Sequence, residues 1–172
     1  PFGVSGSSVW WYRFDVLQDG GTANASFADY FDLGYTANYL TASGNMFKFA
    51  GGFRWGRIMV FDKAAMYAAA GATRLSWSLL TNPDGSTFET PRAAKMQSSF
   101  NLGGQAIDGY FINSRWGGGS KLTVRRVTDA FGANTLTTND VNVNAYVVPP
   151  NAVEPDGTTV DTPVIMMSGH GT

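Results

Sequence analysis

The chain predicts an all-β fold of tandem antiparallel, blade-like sheets, with one short helix near residues 63–70. Three observations carry that prediction. Glycine is abundant, at 21 of 172 residues, and aromatic residues make up 14%, a mix that supplies turns, bulges and pleated surfaces. Several short stretches alternate in character with the period of two that a strand imposes. The chain also repeats itself. NYLTASGNMF, GRIMVFDKAA and TRLSWSLL follow one another over residues 38–80, and GYFINSRW, GGGSKLTVRRVTDA and NVNAYVV follow in the same order over residues 109–148. Each unit reads as strand, glycine-rich loop, strand, small loop or helix, strand.

Taken in order, residues 8–17 (SVWWYRFDVL) read as a strand. Trp10, Tyr12 and Phe14 share one face, and Trp11, Arg13 and Asp15 the other. Residues 18–24 turn at Asp19-Gly20-Gly21. Asn24-Ala25-Ser26 matches a glycosylation sequon, a three-residue pattern common by chance. The first unit opens with a turn at DYFDLGY. Residues 38–45 form its first strand, where small residues suit close approach of chain to chain. Residues 48–55 form a loop around Gly51-Gly52. Residues 57–61 are almost continuously apolar, the mark of a strand buried on both faces. Asp62 caps a helix over residues 63–70, closed by Gly71. Residues 74–80 form a strand with Leu75, Trp77 and Leu79 on one side.

TNPDGST, residues 81–87, is a tight turn with Pro, Asp and Gly in turn order. One strand is expected within residues 94–100. Residues 109–114 and 121–127 are strands joined through Gly117-Gly118-Gly119. Residues 134–140 read as a loop and 140–148 as an alternating strand, with Val141, Val143, Ala145 and Val147 on one face. From residue 149 the prolines make an extended connection, because proline cannot donate to a ladder. Residues 164–167 form a last strand before a tail. The resulting division is residues 1–26, a strand of a preceding unit; 27–90 and 91–148, the two units; and 149–172, a linker and tail.

Composition bounds the function. The length suffices for one domain with a real core. Apolar residues are 44% and charged residues 15%, which argues against disorder. A net charge of −1 with scattered basic residues gives no electrostatic case for nucleic acid. There is no cysteine, which excludes disulfides, thiol nucleophiles and cysteine-held metals. The longest apolar runs fall short of the ~18 residues a membrane helix needs, so no membrane span is expected. Pro1 in place of Met, with no signal peptide behind it, reads as a processed chain or a piece of a longer one.

Asp29-Tyr30, Leu33-Gly34, Tyr39-Leu40, Asn45-Met46-Phe47 and Val60-Phe61-Asp62-Lys63 with Met66 resemble one blade of bacterial secreted or surface β-propellers, the sialidase-like repeat proteins. GYFINSRWGGGSKLTVRRVT and AYVVPPNA are similar to the next blade and its linker, so the resemblance spans about residues 27–152. It implies a partial β-propeller, extracellular or at a cell surface. Its role would be non-catalytic: structure, or binding of a glycan or surface protein, with neighbouring blades or identical subunits as partners. The sequence departs from the pattern in places. Phe31 stands where the family has Pro, and Asp84-Gly85-Ser86-Thr87-Phe88 is one residue shorter than the family's Asp-box. Two units are also fewer than the 4–8 blades that close a propeller. The chain is then part of a longer protein, a ring-forming subunit, or a small open β domain. A fragment of a sialidase-like glycoside hydrolase is the alternative. A viral jelly-roll capsid protein is a third reading, opposed by the repeat and by the lack of a basic arm.

Candidate binding residues are Arg54, Trp55, Asn113, Arg115 and Trp116, in the glycine-rich connections of the two units. An exposed Trp offers a stacking face for a sugar ring, and Arg a planar donor fork. The same pairs can instead pack structurally, with Arg covering Trp by a cation–π contact. Asp62, Asp84, Asp108, Asp129 and Asp156 lie near turns, where two carboxylates could pair as acid and base; Asp beside Gly is more simply turn chemistry. Asn82-Pro83-Asp84-Gly85 resembles the start of a calcium loop but lacks the later acidic ligands. His170, the one histidine, sits in the tail, so no metal and no cofactor are expected. The glycines of GGGSK follow no strand-to-helix turn and make no phosphate loop.

Overall fold

A computed structural model describes residues 11–14, 26–71, 73–96, 108–147 and 150–160. They are mostly strand, arranged as two four-stranded antiparallel sheets. The first sheet contains β1 (Ser26–Tyr35), β2 (Tyr39–Lys48), β3 (Phe53–Asp62) and β4 (Arg74–Trp77), paired in that order. Among the described residues a single short helix, α1 (Lys63–Tyr67), links β3 to β4. The second sheet contains β5 (Arg92–Ala93), β6 (Gly109–Asn113), β7 (Gly119–Thr128) and β8 (Thr135–Tyr146), again paired in order. A small hairpin of β9 (Ala152–Val153) and β10 (Thr159–Val160) follows.

Local chemistry accounts for these elements. β3 is buried from Gly56 to Phe61, in keeping with the apolar run from Ile58 to Phe61, and the stretch takes Arg57 into the interior with it. Asp62 ends it and caps α1 by accepting the Ala65 N–H at 3.0 Å. The helix stops at Tyr67, earlier than residue 70, because Ala69 turns to a φ of 54° and Gly71 to 94°.

Several expectations are corrected. Each unit has four strands, not three. DYFDLGY is no turn but lies in β1, which is bulged between Asp29 and Asp32. Residues 134–140 are no loop: Thr135 pairs with Thr128, and the threonines continue β8 along β7. The loop over residues 48–55 shrinks to a turn, since Phe53-Arg54-Trp55 already belongs to β3. The strand of residues 74–80 ends at Trp77, and Leu79 departs at a φ of 59°. Residues 11–14 form no strand, yet the expected facing holds for them. Phe14 packs tilted against Phe61 with ring centroids 4.3 Å apart, Tyr12 Oη donates to the Met66 carbonyl at 2.5 Å, and Trp11 is exposed. The expectations for residues 18–24, 97–100 and 164–172 lie outside the described residues.

The core lies between the sheets. Tyr39, Ile58 and Val60 of the first meet Ala93, Phe111, Val127 and Ala130 of the second, with Phe88 between them. The Ala130 N–H donates to Tyr39 Oη at 3.1 Å. The opposite face of the first sheet is also covered: Ala42, Met59 and Phe61 pack with Phe14, Leu40 and Met66. The two sheets touch at their first strands. Tyr35 and Lys95 form a parallel bridge, the Tyr35 N–H donates to the Ala94 carbonyl, and the Met96 N–H donates to the Tyr35 carbonyl. Gly34 permits this approach, because a Cβ there would lie 2.3 Å from the Ala94 carbonyl oxygen.

Candidate functional site

In each sheet the connection from second to third strand and the exit of the fourth strand lie at the same end, because consecutive strands reverse direction. At that end the chain crosses from sheet to sheet through a hairpin, bridged between Thr81 and Thr87. The Asn82 N–H donates to the Ser86 carbonyl and the Gly85 N–H to the Asn82 carbonyl, both at 2.9 Å. Gly85 supplies the φ of 80° that the turn needs. Asp84 Oδ1 accepts from the Ser86 N–H at 3.0 Å and from Ser86 Oγ at 2.6 Å.

That leaves Asp84 Oδ2 to accept from Arg115 Nε at 2.9 Å. Arg115 is 9% exposed, and its other two nitrogens also donate. Nη1 donates to Thr123 Oγ1 at 2.5 Å, and Nη2 reaches both oxygens of Asp140 at 2.9 Å. Thr123 Oγ1 donates onward to Asp140 Oδ1 at 2.6 Å. The Arg115 N–H donates to Tyr146 Oη, which donates to the Lys121 carbonyl. A second chain of bonds runs beneath. Asn113 Nδ2 donates to Asn82 Oδ1, and Arg125 donates to Asn113 Oδ1 and to the Thr81 carbonyl. The Arg125 guanidinium lies 3.9 Å from the Phe88 ring centroid.

The electrostatics follow from these contacts. The Ser86 hydroxyl and N–H, with Arg115 behind them, hold Asp84 well below the usual carboxylate range. The Thr123 hydroxyl, then Arg115, lower Asp140 against the opposing effect of burial. Burial opposes the Arg115 charge, but Asp140 and Asp84 outweigh it and raise its pKa. Burial, with Arg115 adding to it, pushes Arg125 down to about 10, so it stays charged at neutral pH.

The structure brings Asn113 and Arg115 into this one network and leaves Trp116 outside it, 76% exposed beside Gly117. Arg54 and Trp55 sit together on β3 of the other sheet. The Arg54 guanidinium lies 4.2 Å over the Trp55 ring, and its Nη1 donates to Ser26 Oγ at 2.7 Å. Phe49, in the same turn region, is 60% exposed and edges a row of Phe27, Phe47 and Phe53 rings. Sequence reasoning did not single out Thr123, Asp140, Tyr146 or Phe49, and it met Asn82 only in a likeness to a calcium loop. Asp140 fell at the edge of a stretch read as a loop, and the Asp-Gly-Ser turn did not say which cation would meet it.

The remaining aspartates singled out near turns are engaged as well. Asp108 pairs with Arg126, Asp129 accepts the Ala133 N–H, and Asp62 caps α1. Among the described residues no group of three or more His, Cys, Asp or Glu is placed to hold a metal ion. No helix among them is long and apolar enough to cross a membrane.

No family model matches the chain. No curated protein and no solved structure matches it either. Its function is therefore argued from its own geometry.

Proposed function

We propose that the chain is a segment of a β-propeller that serves as a non-catalytic structural and binding module. It would bind a glycan or a surface protein at the end that carries Trp116 and Phe49, and pack against neighbouring blades or identical subunits. The observation that carries this reading is the parallel contact of β1 with the start of the second sheet. In a propeller the first strands of successive blades gather side by side around the axis, and each blade is a four-stranded meander. Both sheets here are built from consecutive strands. A jelly roll is instead built from Greek keys, in which a long connection returns the fourth strand beside the first. The extracellular or cell-surface setting rests on the family resemblance alone.

The carboxylates support a role without catalysis. A glycosidase acid needs a raised pKa. Asp84 and Asp140 are lowered and tied to Arg115. Among the described residues Glu89 alone is a carboxyl raised by burial, and a lone carboxyl does not supply the pair. Exposed rings at the turn end suit stacking on sugar or on a partner's apolar surface.

The test is binding to a panel of glycans together with turnover of chromogenic glycosides. The expected result is saturable binding that Trp116→Ala weakens at least about tenfold, the scale of one lost aromatic anchor, with no turnover. Turnover by the purified protein, or binding indifferent to Trp116→Ala, would overturn the proposal.

A further inference from the structure

The crossing hairpin occurs twice. Asn82-Pro83-Asp84-Gly85-Ser86-Thr87 and Glu154-Pro155-Asp156-Gly157-Thr158-Thr159 share their turn residues. The likeness runs on, from Phe88-Glu89-Thr90-Pro91 to Val160-Asp161-Thr162-Pro163. The bonds repeat as well. The Glu154 N–H donates to the Thr158 carbonyl at 2.8 Å and the Gly157 N–H to the Glu154 carbonyl at 2.9 Å. Asp156 Oδ1 accepts from the Thr158 N–H at 2.9 Å and from Thr158 Oγ1 at 2.7 Å. Gly157 takes a φ of 85°, where Gly85 takes 80°. Each copy follows the last strand of a sheet.

The copies differ in what lies against them. In the first, Asn82 is 2% and Phe88 1% exposed, because the second sheet closes over them. That sheet supplies Arg115 to Asp84, Asn113 to Asn82 and Arg125 to the Thr81 carbonyl. In the second, residues 151–159 are exposed throughout. Among the described residues no other side chain reaches Asp156 Oδ2, and Thr158 Oγ1 alone donates to the Glu154 carboxylate, at 3.1 Å.

We propose that residues 154–160 are the seat of a third four-stranded sheet, which follows them in the same polypeptide. The first hairpin leads directly into β5, a strand of the sheet that covers it, and the repeat carries that connectivity over. The two sheets here occupy residues 26–77 and 92–146, so the residues after Val160 are too few to build another. The third sheet would therefore include sequence beyond Thr172. Its chemistry is set by the seat. A guanidinium from its second turn meets Asp156, as Arg115 meets Asp84. A second donor meets Glu154, where the first copy has the neutral Asn82 and receives only an amide. This inference rests on the reading of the sheets as successive blades, and it is independent of what the Trp116 end binds.

The experiment is intact mass and amide hydrogen exchange on the protein isolated from its natural source, beside the 172-residue chain alone. The expected mass exceeds 18.4 kDa. Gly157 and Thr158 should exchange on the order of 100-fold more slowly in the natural protein than in the shorter chain, since a docked hairpin opens only with its sheet. Asp156→Arg in the natural protein should remove most of that protection and leave Gly85 unchanged. Equal exchange in the two forms overturns the proposal. So does a natural mass of 18.4 kDa, whether monomeric or in a ring that protects the hairpin through another copy. Failure here leaves the glycan and turnover result standing, and failure there leaves the exchange result standing.

Discussion

Arg115→Ala is the most informative single substitution. It removes the guanidinium that joins the crossing hairpin to β7 and β8 through Asp84, Thr123 and Asp140. Truncating one partner of a buried ion pair costs about 3–5 kcal/mol, because the other charge is left without compensation. Asp140 would keep the Thr123 hydroxyl and gain relatively more from Lys121, whose Nζ lies 3.8 Å away. The lower end therefore applies, about 3 kcal/mol. Asp84 is exposed and water replaces its lost bond, so it adds little. For a chain of this size 1 kcal/mol moves Tm by about 2–4 °C, so the variant should melt roughly 6–12 °C lower. Arg115→Lys should recover only part, because one ammonium nitrogen cannot serve Asp84, Thr123 and Asp140 as the three separate guanidinium nitrogens do. Urea unfolding with an unchanged slope is the assay. A loss below about 1 kcal/mol, the scale of an exposed pair, would refute the account of a buried, geometry-setting network.

Three further outcomes are expected. Asp84 and Asp140 have folded pKa values below their unfolded ones, so their contribution is complete above the ordinary Asp value of about 3.9 and is lost as pH falls through the lower folded values. The urea midpoint should thus hold from pH 7 to 5 and drop towards pH 2.5; Asp140→Asn should flatten that drop, and an equal drop in the variant would show that other groups cause it. Gly34→Ala should separate β1 from residues 94–96 and destabilise by at least about 1–3 kcal/mol, the usual scale of overpacking, because its Cβ would meet the Ala94 carbonyl at 2.3 Å; a thermal melt indistinguishable from the parent would mean the inner strands have slack. Trp116→Ala should leave Tm within about 1 °C, since an exposed side chain contributes little to folding, so that its effect on binding can be read without a folding correction.

Period-two alternation and glycine-bounded turns made the sheets legible in the sequence. The three-part repeat aligned β2 with β6, β3 with β7 and β4 with the end of β8. It missed β1 because DYFDLGY breaks the alternation at its bulge, where Tyr30 adopts a φ of 51°. It misread residues 134–140 because Thr, Asn and Asp are common in loops, whereas here β7 supplies every backbone partner from Thr135 to Asp140. At the candidate site the sequence offered Arg-Trp beside glycine. The same dipeptide is used twice in different ways: Arg54 lies over its own Trp55, while Arg115 turns away from Trp116 to meet two carboxylates. Nothing local distinguishes the two. The partners of Arg115 come from residues 84, 123 and 140, which meet only when the sheet forms.

The interface between the sheets divides its labour. Tyr39, Ile58, Val60, Phe111 and Val127 provide adhesion, but apolar contacts alone tolerate rotation and slip, because similar side chains can repack. The ionic layer at the turn end has fewer ways to be satisfied. Arg115 needs its fork filled by Asp140 and Thr123 while Nε faces Asp84, and Arg125 needs Asn113, the Thr81 carbonyl and the Phe88 face together. One placement of the hairpin meets all of these demands. We infer that the layer sets the angle between successive sheets more than it sets their stability. Arg115→Met with Asp140→Leu separates the two effects, since well-packed apolar replacements of buried ion pairs are often neutral or stabilising. The double variant should regain most of the stability lost in Arg115→Ala, while Gly85 and Ser86 exchange their amide hydrogens faster than in the parent. Stability and protection recovering together would show that packing alone holds the angle.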